Sequence, residues 1–443
     1  MPCSEWQVAA LTVDKDRVDN PTLAAEAEPP EQKRIIRALV LAQILSGAGL
    51  AAGITVGALL ARDMLDTTSL AGLPTALFTI GSAAAAAGVG RLSQRLGRRA
   101  GLTTGYTAGA LGSAGVVLAA VLDNIPLLFA ALLVYGAGTA TNLQARYAGA
   151  DLASPARRGR AVSTVLVATT LGGVLGPNLV SPMGHLAATW GIPPLAGPFL
   201  LSGAAYLLAA LVLAALLHPD PLRLARERAA SAPRIAPSAP RATGEPGTPA
   251  HPQGGGIVLG ASIMVLTQLV MIAIMTMTPV HMTAHGHGVG AAGAVIAVHV
   301  AAMYLPSPLS GWLVDRYGRL FVAALSAITL LAAGTLAAAA PDNSVALLAV
   351  ALALLGIGWN FGLLSGTAII TDTVPLERRA TTQGAVDVGI AVAGAGGGIA
   401  SGAVVATTSY PTLTIAGGLI ALAILPLITT TRTRRRASSA GQH

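Results

Sequence analysis

The chain has 443 residues, of which 53% are hydrophobic, 10% charged and 4% aromatic, with a formal net charge of +8. Soluble domains carry about 25% charged residues, so a chain this apolar is excluded as a soluble enzyme, a disordered scaffold or an ordinary nucleic-acid-binding protein. Its apolar mass is Ala, Leu, Val, Ile and Gly, which suits close-packed membrane helices, and the single cysteine, Cys3, excludes a disulfide framework or a cysteine-based zinc site.

In chain order, residues 1–35 are polar and acidic, with Pro29-Pro30 and no short apolar run behind a basic start. They read as a cytoplasmic N-terminal tail and not as a cleaved signal. A helix crossing the bilayer needs about 20 mostly apolar residues. The apolar runs predict twelve spans, at 36–61, 68–89, 101–122, 125–149, 161–181, 196–217, 256–280, 290–312, 320–340, 345–370, 382–407 and 411–430. The stretch 219–254 is rich in Pro, Ser, Arg and Gly with no apolar period, and reads as a cytoplasmic linker. Residues 432–443 form a basic cytoplasmic tail. The expected fold is therefore an all-α membrane protein: twelve transmembrane helices in two six-helix, pseudo-symmetric halves, 36–218 and 255–431.

Lys and Arg fix the orientation. With the N-terminus inside, every one of the 27 except Arg62 and Arg146 falls in a cytoplasmic segment. Both termini are thus expected in the cytoplasm, and the protein in the plasma (inner) membrane. The positive charge then records topology and gives no evidence for an anionic partner. The expected surroundings are the lipid bilayer and a small solute or metal-ion substrate, with no nucleic acid, no cofactor and a monomer as the working unit.

Two loops repeat. After span 2 the chain reads Gly90-Arg-Leu-Ser-Gln-Arg-Leu-Gly-Arg-Arg99, and after span 8 it reads Gly311-Trp-Leu-Val-Asp-Arg-Tyr-Gly-Arg319, 221 residues later. Asp151, Pro155 and Arg158 at the inner end of span 4 correspond to Asp372, Pro375 and Arg378 at the inner end of span 10. Two parallel six-helix repeats with these loops resemble the major facilitator superfamily over nearly the whole chain from about residue 36. The resemblance implies substrate binding near mid-membrane between the halves, exposed alternately to each side. Gating then falls to Gly90, Arg95, Gly97, Arg98 and Asp151 in the first half and to Gly311, Asp315, Arg316, Gly318, Arg319 and Asp372 in the second. The expected locks are Arg95 with Asp151 and Arg316 with Asp372. Gln94 stands where the family usually has an acid, so a charge lock there is weaker or differently wired.

Polar residues inside spans are costly and mark a pathway or a helix contact. Span 4 carries Asn142, Gln144 and Arg146, span 5 carries Asn178, and span 11 carries Asp387. A buried carboxylate at Asp387 suits proton coupling; its plain alternative is a structural acid paired with Arg146. Gly172-x-x-x-Gly176-Pro177 partly matches the antiporter motif of facilitator-family drug exporters, with Val180-Ser181 where that motif closes on glycines. A close-packed, kinked helix explains it equally well.

Six of nine methionines and four of eight histidines fall between residues 264 and 303. Met271-x-x-x-Met275 in span 7 and His299-x-x-x-Met303 in span 8 each place two donors one turn apart on a helix face. Thioethers select Cu(I), and imidazole also suits copper. The competing reading is gap-filling methionine in a packed helix. Met277, His281, Met282, His285 and His287 follow toward the outer side, positioned to collect an ion. Together with Met-Thr-Met-Thr-Pro-Val-His-Met at 275–282, the two pairs resemble the CcoA-type copper importers of the facilitator superfamily. That resemblance implies copper import, with Met271, Met275, His299 and Met303 as ligands. Relatives of the same group take up riboflavin, so a small organic solute, or proton-coupled drug efflux, remains the alternative. No G-x-x-x-x-G-K-[ST], HExxH or G-x-S-x-G occurs, so no enzyme is expected and uphill transport must draw on a gradient.

Overall fold

A computed structural model describes residues 29–65, 73–231 and 254–430. Cys3, most of the N-terminal tail, the linker from residue 232 to 253 and the C-terminal tail lie outside the described residues. Among those described, the regular structure is entirely helical.

The first half is built from α1 (Pro30–Leu65), α2 (Leu73–Leu96), α3 (Arg98–Val121), α4 (Ile125–Ala150), α5 (Arg158–Thr189) and α6 (Gly197–Leu216). The short α7 (Pro221–Ser231) follows. The second half contains α8 (Gly254–Ala284), α9 (Val289–Tyr304), α10 (Ser307–Tyr317), α11 (Arg319–Ala339), α12 (Val345–Thr373), α13 (Arg379–Thr407) and α14 (Tyr410–Ala421). Among the described residues, ten helical spans are long and apolar enough to cross a membrane, α9 with α10 forming one and α14 running on to Thr430 in another, and an eleventh is α5, bent by 51° between Gly173 and Asn178. With α1, the count is consistent with the twelve spans read from the sequence.

Two details differ from that reading. Span 8 is α9 followed by α10, broken around Pro306, and it runs on to Tyr317. Pro306 and Pro308 lack the N–H groups a continuous helix would use there. The linker region also opens with a helix, because Pro221, Leu222 and Ala225 of α7 are buried against the first half. Arg228 Nη2 of α7 reaches Glu31 at 2.7 Å.

The repeat is visible in the helix caps. Asn124 accepts from Leu127 N at the start of α4, and Ser344 accepts from Leu347 N at the start of α12. Each half encloses its own apolar core, around Tyr106, Tyr135, Phe199 and Tyr206 in the first and around Met264, Leu330, Leu355 and Trp359 in the second. Alternating helix directions put the start of α1, residue 430 at the end of the described second half, the two repeated loops and α7 on one side of the bundle, the terminal face. The α8–α9 turn and the α11–α12 loop lie on the opposite, far face.

Candidate functional site

At the terminal face the two halves are joined by paired devices built from the repeated loops. α2 ends at Leu96, Gly97 turns with φ +93°, and Arg98 begins α3; equivalently α10 ends at Tyr317, Gly318 turns with φ +93°, and Arg319 begins α11. A side chain at such a φ is strained, so glycine makes the turn. The turn decides which arginine faces inward. Arg98 is fully buried and its Nε lies 2.7 Å from Asp151 Oδ2, while Arg319 Nε lies 2.7 Å from Asp372 Oδ2. The expected partners Arg95 and Arg316 sit before the turn and are exposed. The locks are thus Arg98–Asp151 and Arg319–Asp372.

Each acid also reaches across the halves. Arg379 Nη1 of α13 lies 3.9 Å from Asp151, and Arg158 of α5 pairs with Asp372. Arg98 additionally donates to Gln383 of α13.

The fifth position of each loop caps a helix of the opposite half. Asp315 accepts from Gly159 N at 2.8 Å and Arg160 N at 3.0 Å in the first turn of α5. Gln94 accepts from Ala380 N at 2.7 Å in the first turn of α13 and donates to Leu376 O at 3.0 Å. Both satisfy N–H groups left without intrahelical partners. The carboxylate adds charge at the positive end of a helix, whereas the amide adds a donated bond instead. The first-half lock is therefore differently wired. Glycines permit the approach: a Cβ on Gly159 would stand 2.5 Å from Gly311 O, and one on Gly90 would stand 2.9 Å from Gly384 Cα.

Deeper in, Arg146 of α4 and Asp387 of α13 form a cross-half ion pair, Nη2 to Oδ1 at 2.8 Å, with side chains 0% and 2% exposed. Tyr147 Oη donates to the same oxygen at 3.2 Å, and the guanidinium lies 4.1 Å from the Tyr147 ring centroid. Arg146 Nε donates to Thr367 Oγ1 of α12 at 3.0 Å. Tyr304 of α9 stands within electrostatic reach of Arg146 and packs edge-on against Trp359, whose Nε1 donates to Gln268 Oε1 at 2.7 Å. An ion pair between the halves and an aromatic–amide group thus lie side by side.

The other polar candidates of spans 4 and 5 do different things. Asn142 donates to Ser46 Oγ at 2.8 Å and joins a buried network with Gln43 and Tyr106 inside the first half. Gln144 donates to Ala86 O at 2.7 Å, tying α4 to α2. Asn178 is exposed on α5. Gly172 of the partial antiporter motif packs on α1, where a Cβ on Gly47 would meet Gly172 Cα at 3.1 Å, so close packing accounts for it.

Met271 and Met303 are buried in the apolar core of the second half, and Met275 packs against that core. His299 is fully buried: its Nδ1 bonds to Leu352 O of α12 at 2.8 Å, and its Nε2 has no hydrogen-bond partner. Among the outer residues, Met277 packs on the core and Met282 is only 1% exposed within it, so Met282 does not present a thioether outward. His281 is in the last turn of α8 and His285 in the turn just past it, with Asp342 of the α11–α12 loop beside them. His287 Nε2 bonds to Asp342 O at 2.7 Å.

Of these features, Gln383, Thr367, Tyr147 and Asp342 escape a reading by motif, as do the backbone partners of Gln94. Tyr147 adjoins Arg146 in sequence, a signal available beforehand; the others meet their partners only through the fold.

The sequence profile described as Major Facilitator Superfamily matches residues 39–260 and 260–443. The chain is 52% identical over 434 residues to the uncharacterized MFS-type transporter YdeG of Bacillus subtilis (strain 168), covering 96% of this chain and 98% of that protein. It is 30% identical over 413 residues to the riboflavin transporter RfnT of Brucella anthropi, covering 92% and 98%. Among solved structures, the human organic anion transporter MFSD10 (TETRAN) superposes with a TM-score of 0.71 at 15% identity, over 90% of this chain and 100% of that one.

Proposed function

The chain belongs to the Major Facilitator Superfamily, and from that premise we propose that it imports a small, flat organic solute of the riboflavin type by alternating access. As a secondary transporter it is not an enzyme. The observation that carries the proposal is the buried Arg146–Asp387 pair joining the halves beside Tyr147, Tyr304 and Trp359. In a chain with 4% aromatic residues, that grouping concentrates rings and an amide between the halves, which would become stacking and hydrogen-bonding surfaces for an isoalloxazine-like ring system once the halves part. The full-length likeness to the Brucella riboflavin transporter supports the same cargo. Asp387 is the group that takes and releases the coupling proton, because a proton there cancels the pair that holds the halves together. The cation distribution supports a cytoplasmic terminal face in the plasma (inner) membrane, with the solute entering from the far face.

Uptake of radiolabelled riboflavin in a flavin-auxotrophic host tests this. Cells expressing the chain should accumulate flavin above vector controls, and Asp387→Asn should return uptake to background. Equal accumulation with and without the chain refutes the cargo.

Copper is the second reading, favoured by one observation. A metal-binding imidazole commonly donates its other N–H to a carbonyl, and His299 does so to Leu352 while its Nε2 stays unpartnered. Cell-associated copper that rises with the wild-type chain, and not with His299→Ala, selects this reading over riboflavin.

A further inference from the structure

We propose that the far face of the second half carries a site for one divalent transition-metal ion of the zinc class, formed by His281 in the last turn of α8, His285 in the turn that follows it, and Asp342 of the α11–α12 loop. His285 follows His281 by four residues, and its backbone N–H still reaches His281 O at 3.2 Å, so the last helical spacing carries over into the turn and sets the two side chains on one side. Together with a carboxylate oxygen of Asp342, one ligand atom from each lies within 4.8 Å of the others.

The spacing points to a metal more than to direct bonding. His281 Nε2 is 3.6 Å from Asp342 Oδ1, and His285 Nε2 is 3.7 Å from Oδ2. Both separations exceed the roughly 2.7–3.2 Å of an N–H···O hydrogen bond. They approach the edge of a zinc polyhedron: with Zn–N and Zn–O near 2.1 Å, tetrahedral neighbours lie about 3.4 Å apart. Each carboxylate oxygen thus faces one imidazole nitrogen across a gap of the size an ion would span.

Each ligand is also held from behind. His285 Nδ1 bonds to His281 O at 2.8 Å, which puts the proton on Nδ1 and leaves the Nε2 lone pair toward Asp342. The His281 ring stacks on Tyr410 of α14, centroids 4.2 Å apart and planes at 13°. His287 anchors the loop that carries Asp342 through the Asp342 carbonyl. Two nitrogens and one oxygen suit Zn²⁺ and similar first-row dications, with a position left for water. Cu(I) is disfavoured, since two imidazoles and a carboxylate make a harder donor set than thioethers and Met282 turns into the core.

All the participants belong to the second half, and the site is separate from the Arg146–Asp387 pair. The two histidines lie beyond Pro279, the proline inside α8, where one ladder hydrogen bond is missing. A bound ion would fasten this terminal piece of span 7 to the α11–α12 loop, and so tune transport without touching cargo.

The test is titration of the purified full-length protein in detergent, stripped with a chelator, against ZnCl₂ with a chromophoric competitor. One equivalent should bind, and His285→Ala and Asp342→Asn should each weaken binding at least tenfold. Both residues are exposed, and unchanged size-exclusion profiles and melting temperatures establish that the variants fold. Met271→Ala with Met303→Ala should leave zinc binding as in the wild type, which separates this site from the copper reading. Absence of saturable one-equivalent binding overturns the proposal, as does affinity unaltered in both His285→Ala and Asp342→Asn.

Discussion

Replacing Asp387 by Asn tests the central pair directly. The amide keeps the shape of the carboxylate and removes its charge, leaving the Arg146 guanidinium buried with Thr367, Tyr147 and a backbone carbonyl. Removing one partner of a buried ion pair costs about 3–5 kcal/mol. Arg146 belongs to α4 and Asp387 to α13, so the cost falls on the state in which the terminal face is closed. Once the halves part there, the pair is already broken. A penalty of that size shifts the conformational equilibrium by roughly two to four orders of magnitude. Spin labels at Arg95 and Glu377, both exposed and on opposite halves, in a Cys3→Ser background, report the gap at the terminal face by pulsed dipolar spectroscopy. The short distances should lose population to longer ones in Asp387→Asn. The double variant Arg146→Met/Asp387→Leu should recover much of the short-distance population, because an apolar pair of similar volume often replaces a buried ion pair at little cost. An unchanged distance distribution in Asp387→Asn refutes the idea that this pair holds the closed state.

Two further outcomes follow from the terminal-face caps and are read with the same labels. Asp315→Ala removes two charge-assisted bonds to the first turn of α5, at about 1.5–3 kcal/mol each before relaxation, and should open the terminal face more than Gln94→Ala, which removes two neutral bonds, to Ala380 N and Leu376 O, at about 0.5–1.5 kcal/mol each. Equal shifts from the two variants refute the asymmetry. Gly159→Val inserts a side chain where a Cβ already stands 2.5 Å from Gly311 O and 2.7 Å from an Asp315 oxygen; it should prevent closure and abolish net uptake while the protein remains monodisperse, and wild-type uptake would refute it.

The spans, the two halves and the repeated loops were legible because each is a periodic or recurrent pattern along the chain. Arg146 and Asp387 stood out for a related reason: charge inside an apolar run is visible without knowing the fold. The choice between Arg95 and Arg98 was different. The two residues are three positions apart in a basic loop, and only the positive φ of Gly97 ends one helix and starts the next so that the later arginine points inward. Gln94 looked like a lost acid because a sequence compares side chains, whereas its function in the closed state depends on backbone groups at Ala380 and Leu376 in the other half. An amide also meets those groups, with a second, neutral hydrogen bond where a carboxylate has charge at a helix end. Asp342 was invisible for the same reason, as a polar loop residue gains meaning only when the fold sets it beside His281 and His285. Side-chain chemistry that acts on other side chains along one helix can therefore be read early. Chemistry that acts on a distant backbone cannot, and in this protein much of the closure between the halves is of that second kind.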